Sequence, residues 1–264
     1  MTTMTDEFSQ TFFLSAGETN AEGELALPLL VSKIIDIATA HANALGIGNP
    51  AMASLNCGWV LSRLAIEMER YPKVNTDYTL TTWVETWNRH FSERIVMISD
   101  SAGTPLGYAR TIWMVLNTET RESMGLSHLH FPPELVSDRK CPIPRQGKHR
   151  PVMPLGFNGE LPGGALRATA PDWDYTFKYC DLDFYRHVNT VRYVSLLLNR
   201  LSLEEMDSHR VKRLELAFMH EGKYGMEVRV SRSLTPETGE TAFAITDKKT
   251  GEEILFARLV MTER

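Results

Sequence analysis

Arg63-Leu64-Ala65-Ile66-Glu67-Met68 and Arg213-Leu214-Glu215-Leu216-Ala217-Phe218 share an Arg-Leu start and the same alternation of apolar positions. Period-two alternation marks half-buried strands. Further along each half, Gly103 precedes Tyr108-Ala109-Arg110 and Gly251 precedes Phe256-Ala257-Arg258 at nearly the same offset. Two matches in the same order predict a duplicated unit.

Each half then reads as a helix followed by strands. In the first, Pro28 suits the opening turn, Leu30, Ile34, Ile37, Ala38 and Leu45 keep helical spacing, and Gly46 suits the stop. In the second, Val191, Val194, Leu197, Leu198 and Leu201 repeat that spacing. Residues 78–87, 94–100, 226–231 and 252–261 are rich in β-branched or alternating apolar residues, with Gly103, Gly239 and Gly251 as turns. A mostly apolar helix needs cover on more than one side. The expected class is therefore α+β, with one helix wrapped by a curved antiparallel sheet, made twice. Between the halves, over 118–163, periodicity fades and prolines 132, 133, 142, 144, 151, 154 and 162 accumulate. Proline removes a donor, so this segment is expected to cross the surface in extended form as a linker. It carries Arg139, Lys140, Arg145, Lys148 and Arg150 with no acid among them.

Composition narrows the function. Over 264 residues, 43% are hydrophobic and 23% charged, which is ordinary for a globular chain. A net charge of -5 and a pI near 5.9 give no bulk electrostatic case for binding nucleic acid. Cys57, Cys141 and Cys180 are odd in number and widely spaced, which fits neither a disulfide framework nor a zinc site and suits reduced thiols. Residues 1–10 lack the basic and apolar regions of a signal peptide, and no apolar run reaches the ~18 residues of a membrane span. A cytoplasmic location is expected.

Chemistry concentrates in Asp181-Leu182-Asp183-Phe184-Tyr185-Arg186-His187-Val188-Asn189, directly ahead of the second helix. Helix N-terminal amides favour an anion and polarise a carbonyl, so Asp183 and His187 are candidate catalytic residues. The same spacing also suits Asp183 or Asn189 as a helix cap with His187 as a buried side chain. Glu221, in Met219-His220-Glu221-Gly222, closes the strand that starts at Arg213, either as solvated rim or as a carboxylate that holds water. Trp59-Val60-Leu61-Ser62-Arg63-Leu64 suits core packing or, in the half without the Asp-His pair, the shaping of a pocket. The first half's counterpart of the Asp-His segment, residues 18–24, contains no aspartate or histidine. One half is thus expected to carry the chemistry and the other to serve as a wall. No phosphate loop, nucleophile elbow or zinc motif is present in the sequence.

Trp59 through Leu64, and Asp181 through Asn189 with Tyr193 following, make the chain resemble the acyl-acyl carrier protein (acyl-ACP) thioesterases. The likeness runs from about Phe8 to nearly the C-terminus. It implies a double hotdog fold: an N-terminal hotdog of residues 1–120 with the acyl-chain pocket, a Pro-rich linker of 121–162, and a catalytic C-terminal hotdog of 163–264. It also implies hydrolysis of the acyl-ACP thioester to a free fatty acid without metal or organic cofactor. The catalytic residues carried over are Asp183, His187 and Glu221, with Trp59, Arg63, Tyr185 and Asn189 binding substrate. Two positions depart from the pattern: Tyr185 stands where the family has Asn, and Gly222 where plant members have a Cys. The carrier is the expected partner, with the basic linker and the group Arg210, Lys212 and Arg213 as candidate docking surfaces, and a homodimer is the expected assembly. An acyl-CoA thioesterase and a non-catalytic acyl-binding protein are the alternatives.

Overall fold

Pro28 lies in the first turn of helix α1 (Leu27–Ala44), and Gly46, at φ 72°, turns the chain out of it. The computed structural model describes residues 6–129, 131–147, 167–168, 172–235 and 240–264. Its two units are residues 1–145 and 146–264. In the first, α1 and a short α2 (Asn49–Ser54) follow strand β1 (Glu7–Phe13). Four strands come next: β2 (Cys57–Met68), β3 (Asp77–Trp87), β4 (Ser92–Asp100) and β5 (Pro105–Asn117). The antiparallel sheet runs β1-β3-β4-β5-β2. Leu30, Val31, Ile34 and Ile37 of α1 are fully buried, each contributing about 1.5–3 kcal/mol.

The second unit repeats this order. A two-residue β6 (Arg167–Ala168) and β7 (Trp173–Thr176) both pair with β9. Helices α3 (Thr190–Leu198) and α4 (Leu203–Ser208) precede β8 (His209–Phe218), β9 (Glu227–Thr235), β10 (Glu240–Asp247) and β11 (Glu253–Glu263). The sheet runs β7-β9-β10-β11-β8, again antiparallel. The repeated sequences fall on equivalent elements. Arg63 on β2 and Arg213 on β8 each follow a one-residue bulge, and Gly103 and Gly251 take φ values of 82° and 76° in the turns before β5 and β11.

Three expectations are corrected here. Helix α3 stops at Leu198, short of Leu201, because Ser202 opens α4 with a capping box to Glu205. Strand β8 ends at Phe218, which leaves Glu221 in the following loop. The Pro-rich segment does more than cross the surface. Leu126, Leu129, Phe131, Leu135, Cys141 and Ile143 are buried, the last two with Trp83 and Ile95 of the sheet. Pro133 opens a single tight turn, Pro133–Leu135, so the segment is not extended throughout, and its apolar residues cover the sheet. Arg110 Nη1 pairs there with Glu85 at 2.6 Å and Glu93 at 2.8 Å, and its other nitrogens donate to the Ile143 and Cys141 carbonyls. Lys148, Arg150, Pro151, Pro154, Pro162 and Gly239 lie outside the described residues.

Candidate active site

The candidate segment folds as a turn clasped by its own backbone. Leu182 bridges to Val188, Asp183 N–H donates to the His187 carbonyl at 2.8 Å, and Arg186 N–H donates to the Asp183 carbonyl at 3.0 Å. Arg186 sits at φ 64°, a left-handed conformation that costs a side-chain-bearing residue about 1–2 kcal/mol. Asp183 Oδ1 accepts from the amides of Tyr185 at 2.9 Å and His187 at 3.0 Å. Its other oxygen, Oδ2, takes no hydrogen bond from the described residues. One end of the carboxylate is thereby fixed.

The first unit builds the same turn with other residues. Asn20 Oδ1 accepts from Glu22 and Glu24 amides at 3.2 and 2.8 Å, Asn20 N–H donates to the Glu24 carbonyl, and Gly23 takes the left-handed position at φ 69°. An amide oxygen thus suffices to hold the turn. The negative charge of Asp183 is additional to what the fold requires, as is the strain at Arg186.

His187 meets Asp183 through its backbone amide, while its imidazole faces Glu221, with Nε2 3.3 Å from Oε2. Both side chains are about a quarter to a third exposed, at 26% and 33%. Gly222 ties the two loops together: its carbonyl accepts from Val188 N–H at 2.9 Å and its N–H donates to Tyr193 Oη at 3.0 Å. Tyr193 is wedged edge-on between Phe177 and Phe218. Burial first, and then the Asp183 charge, push its phenol well above the ordinary tyrosine range. A Cβ at 222 would lie 2.4 Å from Tyr193 Oη and 2.8 Å from Val188 Cγ2, so any side chain here would force its neighbours to shift. Gly222→Ala is expected to lose about 1–3 kcal/mol of stability through overpacking, read from the denaturation midpoint.

Asn189 is the cap of α3, its side chain accepting from Val191 N–H at 3.0 Å. Asp181 is buried and structural, accepting from Tyr175 Oη at 2.9 Å and Lys178 N–H at 2.6 Å. Tyr185 is exposed and lies against Phe184, ring centroids 3.9 Å apart. Burial and then Asp183 raise its hydroxyl pKa. With Tyr179, Phe184 and Tyr224, it makes the loops that carry the site unusually apolar for exposed surface.

In the first unit, Trp59 Nε1 donates to the Ile47 carbonyl at 2.7 Å, and its ring meets Trp87, which stacks on Phe131. Arg63 is half-buried on β2. The basic residues of the Pro-rich segment are partly engaged: Arg139 with Glu7 and over the Trp83 ring, and Arg145 with Glu93. Arg213 is buried against Glu215, which withdraws it from any docking surface. Missing from the sequence reading was the part played by Asn20. The signal was there in Asn20-Ala21-Glu22-Gly23, a turn tetrad at the place of Asp183 to Arg186.

Antiparallel sheets with packed helices make this an α+β protein of the hotdog type. Residues 5–128 match the acyl-ACP thioesterase N-terminal domain and residues 167–261 the C-terminal domain; the chain belongs to the acyl-ACP thioesterase family. It is 26% identical over 266 residues to a chloroplastic acyl-acyl-carrier-protein hydrolase of Cuphea viscosissima, covering 97% of this chain and 59% of that one. It is 24% identical over 222 residues to a chloroplastic palmitoyl-acyl carrier protein thioesterase of Gossypium hirsutum, covering 81% and 52%. The chain thus spans between half and three fifths of these two relatives. A crystal structure of an acyl-ACP thioesterase from Bacteroides thetaiotaomicron superposes with a TM-score of 0.85 at 26% identity, covering 97% of this chain and 98% of that one. No helix of the described residues is long and apolar enough to cross a membrane.

Proposed function

We propose that the chain hydrolyses the thioester of acyl-ACP to a free fatty acid and the carrier protein. The observation that carries this reading is the Asp183 carboxylate, fixed through Oδ1 by two amides with Oδ2 unengaged, beside a loop where His187 faces Glu221. Asp183 acts either as nucleophile, giving an anhydride that water cleaves, or as general base on water. His187 positions Asp183 or the carbonyl and Glu221 positions the water, the C–S bond breaks as the acyl carbon is attacked, and the water's proton ends on the departing carrier thiolate. At the start of α3 the Val191 amide is taken by Asn189 Oδ1 and the Arg192 amide by the Asn189 carbonyl. The Thr190 N–H therefore remains to meet the developing oxyanion.

The fold in this reading is a double hotdog, each helix wrapped by its curved sheet. Residues 1–120 take the acyl chain with Trp59 and Arg63, residues 121–162 connect, and residues 163–264 perform the chemistry with Tyr185 and Asn189 beside the substrate. Exposed Lys178, Arg186 and Lys223, with Tyr179 and Tyr224, offer an acidic carrier a basic and apolar landing beside the site. A cytoplasmic location and a homodimer belong to the same proposal; the three free thiols suit a reducing compartment.

Incubation with a panel of acyl-ACPs, reading free acid and carrier thiol, tests the activity. No release from any chain length would overturn it, and equal turnover of acyl-CoA would replace the carrier. His187→Ala and Glu221→Gln are each expected to slow turnover about 10²-fold. The double variant should lose little more, because the two act as one unit; additive losses would separate their roles.

A further inference from the structure

Arg94 projects from β4 toward α1 and is only 4% exposed. Its Nη1 lies 2.6 Å from His41 Nδ1 of that helix, which is itself buried under the Phe8 ring. A guanidinium has five N–H donors, and the remaining four have no partner among the described residues. Across the sheet, Arg94 stands in one row with Val84, Thr111 and Leu64. None of these is an acid, and the Thr111 hydroxyl already donates to the Arg94 carbonyl. The nearby carboxylates Glu85 and Glu93 are next in sequence to Val84 and Arg94, so they point to the opposite face, where Arg110 holds them. Burial alone lowers the Arg94 pKa from 12.5 to about 10, which leaves it protonated at neutral pH.

A buried cation without a counter-charge is costly, and a hydrocarbon chain against it would add to that cost. Tyr78, on the same face of the sheet, likewise buries a hydroxyl with no hydrogen-bond partner among the described residues. The helix–sheet interior of the first unit therefore holds donors waiting for an oxygen. We infer that the preferred acyl group carries a hydrogen-bond-accepting oxygen, keto or carboxylate, and that Arg94 binds it. This rests on the reading that the first unit takes the acyl chain.

The test titrates the intact protein with free acids of one chain length, plain, keto-bearing and dicarboxylic, and measures turnover of the matching acyl-ACPs. Oxygen-bearing acids are expected to bind at least about tenfold tighter than the plain one, the range of a charge-assisted hydrogen bond. Arg94→Met should abolish that preference while leaving plain-acid binding unchanged or improved, and Arg94→Lys should keep part of it. Plain and oxygenated acids bound alike within twofold by the wild-type protein would overturn the inference, whatever the folding of the variants. So would a preference that survives in Arg94→Met. Binding without turnover of any acyl-ACP would sink the proposed hydrolysis instead and still decide the role of Arg94.

Discussion

Replacing Asp183 with Asn is expected to slow acyl-ACP hydrolysis about 10³- to 10⁴-fold, the upper range for removing a positioned acid–base or nucleophilic group, while the melting temperature stays at the wild-type value. The structure supplies the control for this experiment. Asn20 holds the equivalent turn of the first unit through its side-chain oxygen, with amide contacts like those of Asp183. An amide at 183 can therefore keep the loop and remove only the charge. Asp183→Ala should also lose both amide contacts and cost about 1–2 kcal/mol of stability. Activity above a tenth of wild type in a folded Asp183→Asn protein, with its mass confirming that the amide has not deamidated, would remove Asp183 from the chemistry.

Arg110→Met is expected to destabilise the protein by about 3–5 kcal/mol, because it leaves two buried carboxylates short of their cation. Glu85 and Glu93 have side chains only 4% and 3% exposed, and Arg110 binds both. Arg145 reaches Glu93 from the surface at 2.7 Å and the Cys141 amide reaches Glu85 at 2.8 Å, so neither acid is left wholly alone. The denaturation midpoint reads the effect. Restoring stability by also converting Glu85 and Glu93 to Gln would locate the loss in the stranded charges; a shift below 1 kcal/mol for the single variant would show that the two acids need no buried partner.

The architecture was largely legible because a duplicated chain states its pattern twice. The Arg63 and Arg213 runs became β2 and β8, and the two glycine turns introduced β5 and β11. The end of α3 was misread because apolar spacing continues to Leu201, whereas the Ser202 cap decides where the chain restarts. Sequence placed the Asp183 turn but not its hydrogen bonds: four-residue spacing cannot tell an imidazole–carboxylate contact from the amide contact observed. Arg94 stands in an otherwise apolar strand pattern, and only its burial beside His41 sets it apart. Gly222 was read as a departure from the family, and only packing against Tyr193 and Val188 shows that a side chain there would force its neighbours to shift.

The docked Pro-rich segment bears on how the gene could be divided. A fragment ending where β5 ends would lay bare Trp83 and Ile95 and would deprive Glu93 and Glu85 of Arg145 and of the Cys141 amide, inviting aggregation. A fragment continued through Arg145 carries its own roofing. The natural seam for separating the halves, or for grafting one onto another scaffold, therefore lies after Arg145 rather than directly after β5.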